Sequence, residues 1–205
     1  MWPAPFPLAP VPARMTKTPN MGPTPLPTKA DLRARALARR DGLSPETRAQ
    51  ASKNMAGFVA TLDLPEGATA FYWPIRSEAD PRPAALALAR PLCLPAVTES
   101  GLVFRRWAEG DTLASGPLGL SEPLADAPVL KPAILIVPLA AFDRRGHRIG
   151  YGKGFYDRTL AQLPRAITIG LAFATQEIDH VPDETHDHAL DFVVTEREII
   201  ATRAT

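Results

Sequence analysis

The chain has 205 residues, 45% of them apolar and 22% charged, and a net charge of +1. That composition suits one folded domain with a substantial core and provides no overall field for nucleic acid or an anionic membrane. A lone cysteine, Cys93, excludes an internal disulfide, and no uncharged apolar run approaches the ~18–20 residues that span a bilayer, so a cytoplasmic protein is expected.

Residues 1–27 stand apart. Nine are proline, none is acidic, and only Arg14 and Lys17 carry charge. Such a segment cannot bury a core and is expected to be a disordered or polyproline-like extension ahead of a single domain over 28–205. It reads as dispensable, or as a start placed upstream of Met15 or Met21, with a partner-recognition tail as the alternative.

Residues 29–40, KADLRARALARR, form a strong helix pattern with Thr28 as N-cap. Lys29 and Arg33, four apart, share one face, which by itself reads as a solvated basic helix. Ser44-Pro45-Glu46 starts a second helix that runs to about residue 62, with Met55, Phe58, Val59 and Leu62 at core spacing. Residues 69–73 read as a short aromatic strand. The loop leaving it carries Glu78 and Asp80 near a strand end, where open α/β sheets place ligands. A helix at 83–90, a strand at 92–97 and a hairpin partner at 102–107 follow.

Residues 133–137 are wholly apolar and predict a buried strand. Beyond it lies a basic loop with glycines at 150, 152 and 154 and with Arg148 and Lys153, leading into a helix at 156–163. Alternate glycines let the backbone approach a ligand closely, and a following helix points its free N–H groups at the loop. Strand, loop and helix start together predict a phosphate cradle. It is neither of the common ones: a Walker A loop would need Gly where His147 stands, and a dinucleotide fingerprint begun at Gly150 would need Gly where Phe155 stands. Strands at 166–173 and 191–195 complete the pattern, which predicts an α/β fold with a mostly parallel sheet. His186-Asp187-His188 lacks a suitable fourth ligand for zinc and reads as a turn.

The string Pro138, Phe142, Asp143, Gly146, Arg148, Gly150, Gly152, Gly154, Phe155, Tyr156 and Asp157 resembles, at fixed spacing, the signature of the 5-formyltetrahydrofolate cyclo-ligases, also called methenyltetrahydrofolate synthetases. Two departures are Leu139, where a Gly often follows the Pro, and Phe155, where the first Tyr is expected. The second removes a hydroxyl and keeps an aromatic face. The segment from Phe104 through Gly119-Leu120-Ser121-Glu122-Pro123 is similar to the family's folate-side region.

The resemblance implies a Rossmann-like layered fold related to those of sugar-phosphate isomerases and CoA transferases. It implies ATP contacts from Lys29, Arg33, Arg148, Ile149, Gly150, Tyr151, Gly152, Lys153, Gly154, Phe155 and Tyr156. Arg148 and Lys153 are the implied catalytic cations. Trp73, Glu78, Tyr151, Lys153 and Phe155 are implied on the folate side, with Asp80 close enough to share Glu78's role. Asp157 and Asp191 are the implied carboxylates for Mg²⁺. Arg105 or Arg106 is a candidate for the folate's anionic glutamate tail.

The implied reaction is ATP-driven closure of 5-formyltetrahydrofolate to 5,10-methenyltetrahydrofolate by a monomer that acts on small molecules and not on nucleic acid or membrane. The absence of any conspicuous nucleophile agrees, because in that reaction the substrate's formyl oxygen attacks. Two alternatives stay open: a phosphosugar-isomerase-like enzyme with Glu78 as base, and a non-catalytic folate-, nucleotide- or RNA-binding module on the same fold.

Overall fold

The structure is a computed structural model and describes residues 1, 27–99, 101–183 and 187–202. Nearly all of the proline-rich extension, and His186, lie outside them. Helix α1, Lys29–Asp41, opens on Thr28, whose hydroxyl and the Asp31 carboxylate form a reciprocal capping box. Helix α2, Pro45–Val59, is capped by Ser44. Then come β1 (Ala68–Ala70), α3 (Arg82–Ala87), β2 (Leu92–Thr98) and β3 (Gly101–Trp107). A small hairpin pairs β4 (Leu113–Ser115) with β5 (Ser121–Pro123). The apolar run is β6, Pro132–Pro138. A second small hairpin, β7 (Ala141–Phe142) with β8 (Arg148–Ile149), carries the chain into the basic loop and α4, Phe155–Gln162. Strands β9 (Ile167–Leu171), β10 (Phe192–Val194) and β11 (Ile199–Ala201) close the chain.

Seven strands form the main sheet in the order β11-β10-β9-β6-β1-β2-β3. The five central strands are parallel, and β11 and β3 pair antiparallel at the two edges. Ile134 and Ile136 of β6 point into one apolar layer, with Met55, Val59 and Phe71, while Leu135 and Val137 point into the other, with Phe104, Leu160 and Val193. A strand buried on both faces reads as an unbroken apolar run for that reason. A third, smaller cluster seats α1 through Ala36 on Ala141, Ile149 and Val181.

The winding reverses between β1 and β6. From β1 the chain adds β2 and β3 on one side, then crosses to β6 and builds outward on the other. The C-terminal ends of β1 and β6 thus flank a crevice, the place where open sheets bind ligands. The strand expected at 69–73 is shorter for the same reason. Phe71 still donates to the Cys93 carbonyl at 3.1 Å, but the chain then leaves the sheet and the Tyr72 hydroxyl donates to the Ala79 carbonyl at 2.7 Å. That turn lines the crevice.

Candidate active site

A cavity of about 510 Å³ opens at this reversal. One wall is the basic loop between β8 and α4, a second is the Glu78 loop, and α1 roofs it with Lys29 and Arg33. Pro95, Val97, Leu102 and Leu120 supply an apolar floor toward the antiparallel edge, with Ser121 at its side. Of the residues the sequence proposes as ligand contacts, Lys29, Arg33, Trp73, Glu78, Arg148, Ile149, Gly150, Tyr151, Gly152, Lys153, Gly154, Phe155, Tyr156 and Asp157 all line it. Asp191 does not.

The loop is built from the inside. Asp143 is 1% exposed; its carboxylate accepts from the backbone N–H groups of Arg145, His147 and Val181 and from the Arg145 guanidinium. The signature aspartate therefore ties the β7–β8 turn to residue 181 and takes no part in ligand contact. Ile149 is 2% exposed and packs in the cluster beneath α1. Gly152 and Gly154 have φ of +84° and +65°, a region that side chains disfavour. Gly154 is also the N-cap of α4 and makes no side-chain cap bond, so the first-turn N–H groups face the cavity without a cap.

The cations differ in what they already hold. Arg148 is 5% exposed, donates to the His188 carbonyl at 2.8 Å and pairs with Asp157 at 2.5 Å. Burial pulls its pKa down, against the pull of Asp157. Lys29 pairs with Asp187 at 2.8 Å, and Arg33 donates to the Gly150 carbonyl at 2.8 Å. Lys153 is exposed and makes no ion pair with any described residue. Of these four it is the cation readiest to meet an incoming anion, and Arg76 on the Glu78 loop is likewise exposed at the cavity.

On the opposite wall, one Glu78 oxygen accepts from the Ile75 N–H at 2.9 Å. Burial raises the pKa of Glu78, opposed by bonds from Ile75 and the Tyr151 hydroxyl and by the charges of Arg40 and Arg76. Burial also raises the phenols around it: Tyr151 is pushed up to about 12, and Tyr72 and Tyr156 are raised as well. Trp73 is held edge-on by Trp107 at 5.9 Å and lies under the Arg82 guanidinium at 5.0 Å.

The sequence's candidates at three further places do not line the cavity. Asp191 is 3% exposed, and its Oδ2 accepts from the Thr168 N–H and hydroxyl, both at 2.8 Å. It sits where β9 and β10 begin, the far end of the sheet from the cavity, and clamps two strands rather than facing a ligand. Asp80 is not a second Glu78: it grips Arg82 with both oxygens and thereby fixes the cation over Trp73. Arg105 donates to the Ala127 carbonyl, and neither it nor Arg106 lines the cavity.

The sequence reading also missed Asp187, read as part of a turn, and most of the apolar floor, of which it had offered Leu120 in the folate-side segment. Lys29 and Asp187 are 158 residues apart, and no local pattern joins them.

Fold and cavity together define an open-sheet α/β protein with a two-sided pocket, cationic and glycine-rich on one side, acidic and aromatic on the other. Residues 26–196 match the 5-formyltetrahydrofolate cyclo-ligase family. A 5-formyltetrahydrofolate cyclo-ligase of Mycolicibacterium smegmatis is 30% identical over 195 residues, 86% of this chain and 98% of that protein. One of Haemophilus influenzae is 36% identical over 96 residues, 44% of this chain and 51% of that protein. The solution structure of Aquifex aeolicus 5,10-methenyltetrahydrofolate synthetase superposes with a TM-score of 0.75 at 29% identity, covering 86% of this chain and 94% of that one. The chain belongs to the 5-formyltetrahydrofolate cyclo-ligase family, a family of ligases.

Proposed function

We propose that the chain uses ATP to close 5-formyltetrahydrofolate to 5,10-methenyltetrahydrofolate, releasing ADP and phosphate. The observation that carries this reading is the two-sided pocket. A triphosphate suits the wall of Lys153, Arg148, the glycines and the open end of α4, while a pterin suits the wall of Glu78, Trp73 and the apolar floor. The substrate formyl oxygen attacks the γ-phosphorus, giving a phosphorylated imidate. N10 then adds to that carbon, the ring closes and phosphate leaves. The nucleophile belongs to the substrate, so the protein positions two ligands and offsets charge on the transferring phosphoryl group.

Lys153, Lys29 and Arg33 would bear on the phosphates, with Arg148 held in place by Asp157. Phe155 and Tyr156 offer aromatic surface for adenine or pterin. Among the described residues no three His, Cys, Asp or Glu side chains cluster as a metal site. Asp157, 34% exposed at the cavity, fits a Mg²⁺ ion that takes most of its ligands from phosphate oxygens and water. When bound with ATP, that ion offsets phosphate charge. Near-neutral net charge agrees with an enzyme acting on small molecules, and one buried free cysteine agrees with a cytoplasmic setting.

The test is phosphate release by purified protein. Release that requires both 5-formyltetrahydrofolate and Mg-ATP supports the reading. ATP hydrolysis indifferent to the folate, or no hydrolysis, contradicts it.

A further inference from the structure

Arg40 is the largest fully buried side chain of the fold, 1% exposed, and it does not line the cavity. A buried guanidinium is costly unless its donors are used and its charge is met. Here Nε donates to the Ser77 hydroxyl at 2.9 Å and Nη1 donates to the Tyr151 hydroxyl at 2.9 Å. The Asp41 carboxylate lies 3.6 Å from Nε, is 60% exposed, and accepts a short hydrogen bond from Ser77. Tyr151 and Glu78 both line the cavity, and Ser77 is Glu78's neighbour in the chain. One side chain of α1 thus holds both walls of the pocket.

The position is set by helix geometry. Lys29, Arg33, Ala36 and Arg40 fall at i, i+4, i+7 and i+11, a single stripe along α1. The first two reach the cavity, Ala36 seats the helix, and Arg40 passes beneath the cavity wall.

We propose that Arg40 is a positioning residue that fixes the Tyr151 hydroxyl and the Glu78 loop relative to each other, and so sets the geometry of the folate side; the kinetic part of this proposal rests on the cyclo-ligase reading. The guanidinium fork is needed because it reaches two hydroxyls on two different segments, which one ammonium cannot do. Its charge also favours ionised Glu78. The other groups around that carboxylate are Arg76 and Asp80 of the same segment, the Ile75 N–H, and the hydroxyls of Tyr72, Tyr151 and Tyr156.

The test uses Arg40→Met and Arg40→Lys in the full chain. Arg40→Met leaves behind two hydroxyls and an exposed carboxylate, with Glu78 able to take up a proton, and Arg40→Lys keeps a cation within reach of one of those hydroxyls, so both variants should fold. Hydrogen exchange is the first readout. Amides at 76–78 and 150–152 should exchange at least roughly tenfold faster in both variants, with the central strands unchanged. In turnover assays the KM for 5-formyltetrahydrofolate should rise roughly tenfold or more. In Arg40→Met the limb of the pH profile that reports Glu78 should move to higher pH, because a cation that favours its ionised form is gone. Arg40→Met combined with Tyr151→Phe should lose less than the two single losses together, because both act through one hydroxyl. Faster exchange everywhere with an unmoved pH profile would reduce Arg40 to a scaffold residue. Wild-type behaviour of Arg40→Lys would reduce it to a charge. Exchange needs no turnover, so a chain inert toward the folate would defeat the functional reading while the exchange result still decided this one.

Discussion

Asp157 and Asp191 both precede or open a regular element in the second half of the chain, and the sequence offers both as Mg²⁺ ligands. The fold separates them. Asp157 stands in the first turn of α4 at the C-terminal ends of the strands, 34% exposed and paired with Arg148 across the cavity wall. Asp191 stands at the N-terminal ends, 3% exposed, and its carboxylate closes a loop of bonds with Thr168, whose hydroxyl in turn accepts from the Asp191 N–H at 2.8 Å. In a parallel sheet the two ends have different work. One end leaves loops and helix N-termini for ligands, and the other must satisfy its own backbone.

The comparison is sharpest at Lys153, an exposed cation of the glycine-rich loop that makes no ion pair with any described residue. Lys153→Ala should cut turnover by roughly 10²–10³, the usual effect of losing one preorganised donor, with the melting temperature unchanged. Turnover within a few-fold of wild type would remove it from the chemistry.

At the other end, Asp191→Ala strands the Thr168 N–H and hydroxyl in the interior. It should cost about 3 kcal/mol, or roughly 6–12 °C in Tm for a chain of this size, while the Mg²⁺ dependence of residual activity stays put. A changed Mg²⁺ requirement at full stability would return Asp191 to the metal. Asp157→Asn should also lower Tm, because the buried Arg148 loses its ion pair, but unlike Asp191→Ala it should raise the Mg²⁺ needed for half-maximal turnover, by roughly tenfold. An unchanged requirement would take Asp157 out of the metal's surroundings.

The smallest effect is at Glu78, which serves the site against its own burial. Its folded pKa is raised above the ordinary 4.5, so its contribution to stability is full below that value and is lost as pH rises through the folded pKa. Glu78→Gln should therefore melt slightly higher than wild type at neutral pH, by no more than about 2–4 °C, and the gain should vanish in acid. A destabilised Glu78→Gln at neutral pH would mean that the ionised carboxylate is held better than its burial suggests.

What could be read from the sequence follows the range of the interactions. The cradle was legible because its parts are contiguous: β6, the glycines and α4 are spaced by local geometry, and Gly152 and Gly154 adopt the positive φ that their spacing implies. The sheet was legible as α/β and mostly parallel from its alternating elements. The strand order was not, and without it the two ends of the sheet look alike, which is how Asp191 came to be grouped with Asp157. The two-residue strands β7 and β8 and the three-residue β11 are too short to leave a pattern. Arg40 was partly legible. It continues the Lys29–Arg33 stripe, yet its partners lie 37 and 111 residues away, so nothing local distinguishes it from the exposed arginines beside it.

One measurement bears most directly on the pocket as a two-substrate site: the near-ultraviolet spectrum of the protein with 5-formyltetrahydrofolate, recorded before and after Mg-ATP is added, for wild type and for Lys153→Ala. The methenyl product has its own absorption band there. The band should grow with wild-type protein only after Mg-ATP and should barely grow with the equally folded variant. A band that grows without ATP, or no band from a wild-type protein that binds both ligands, would contradict it.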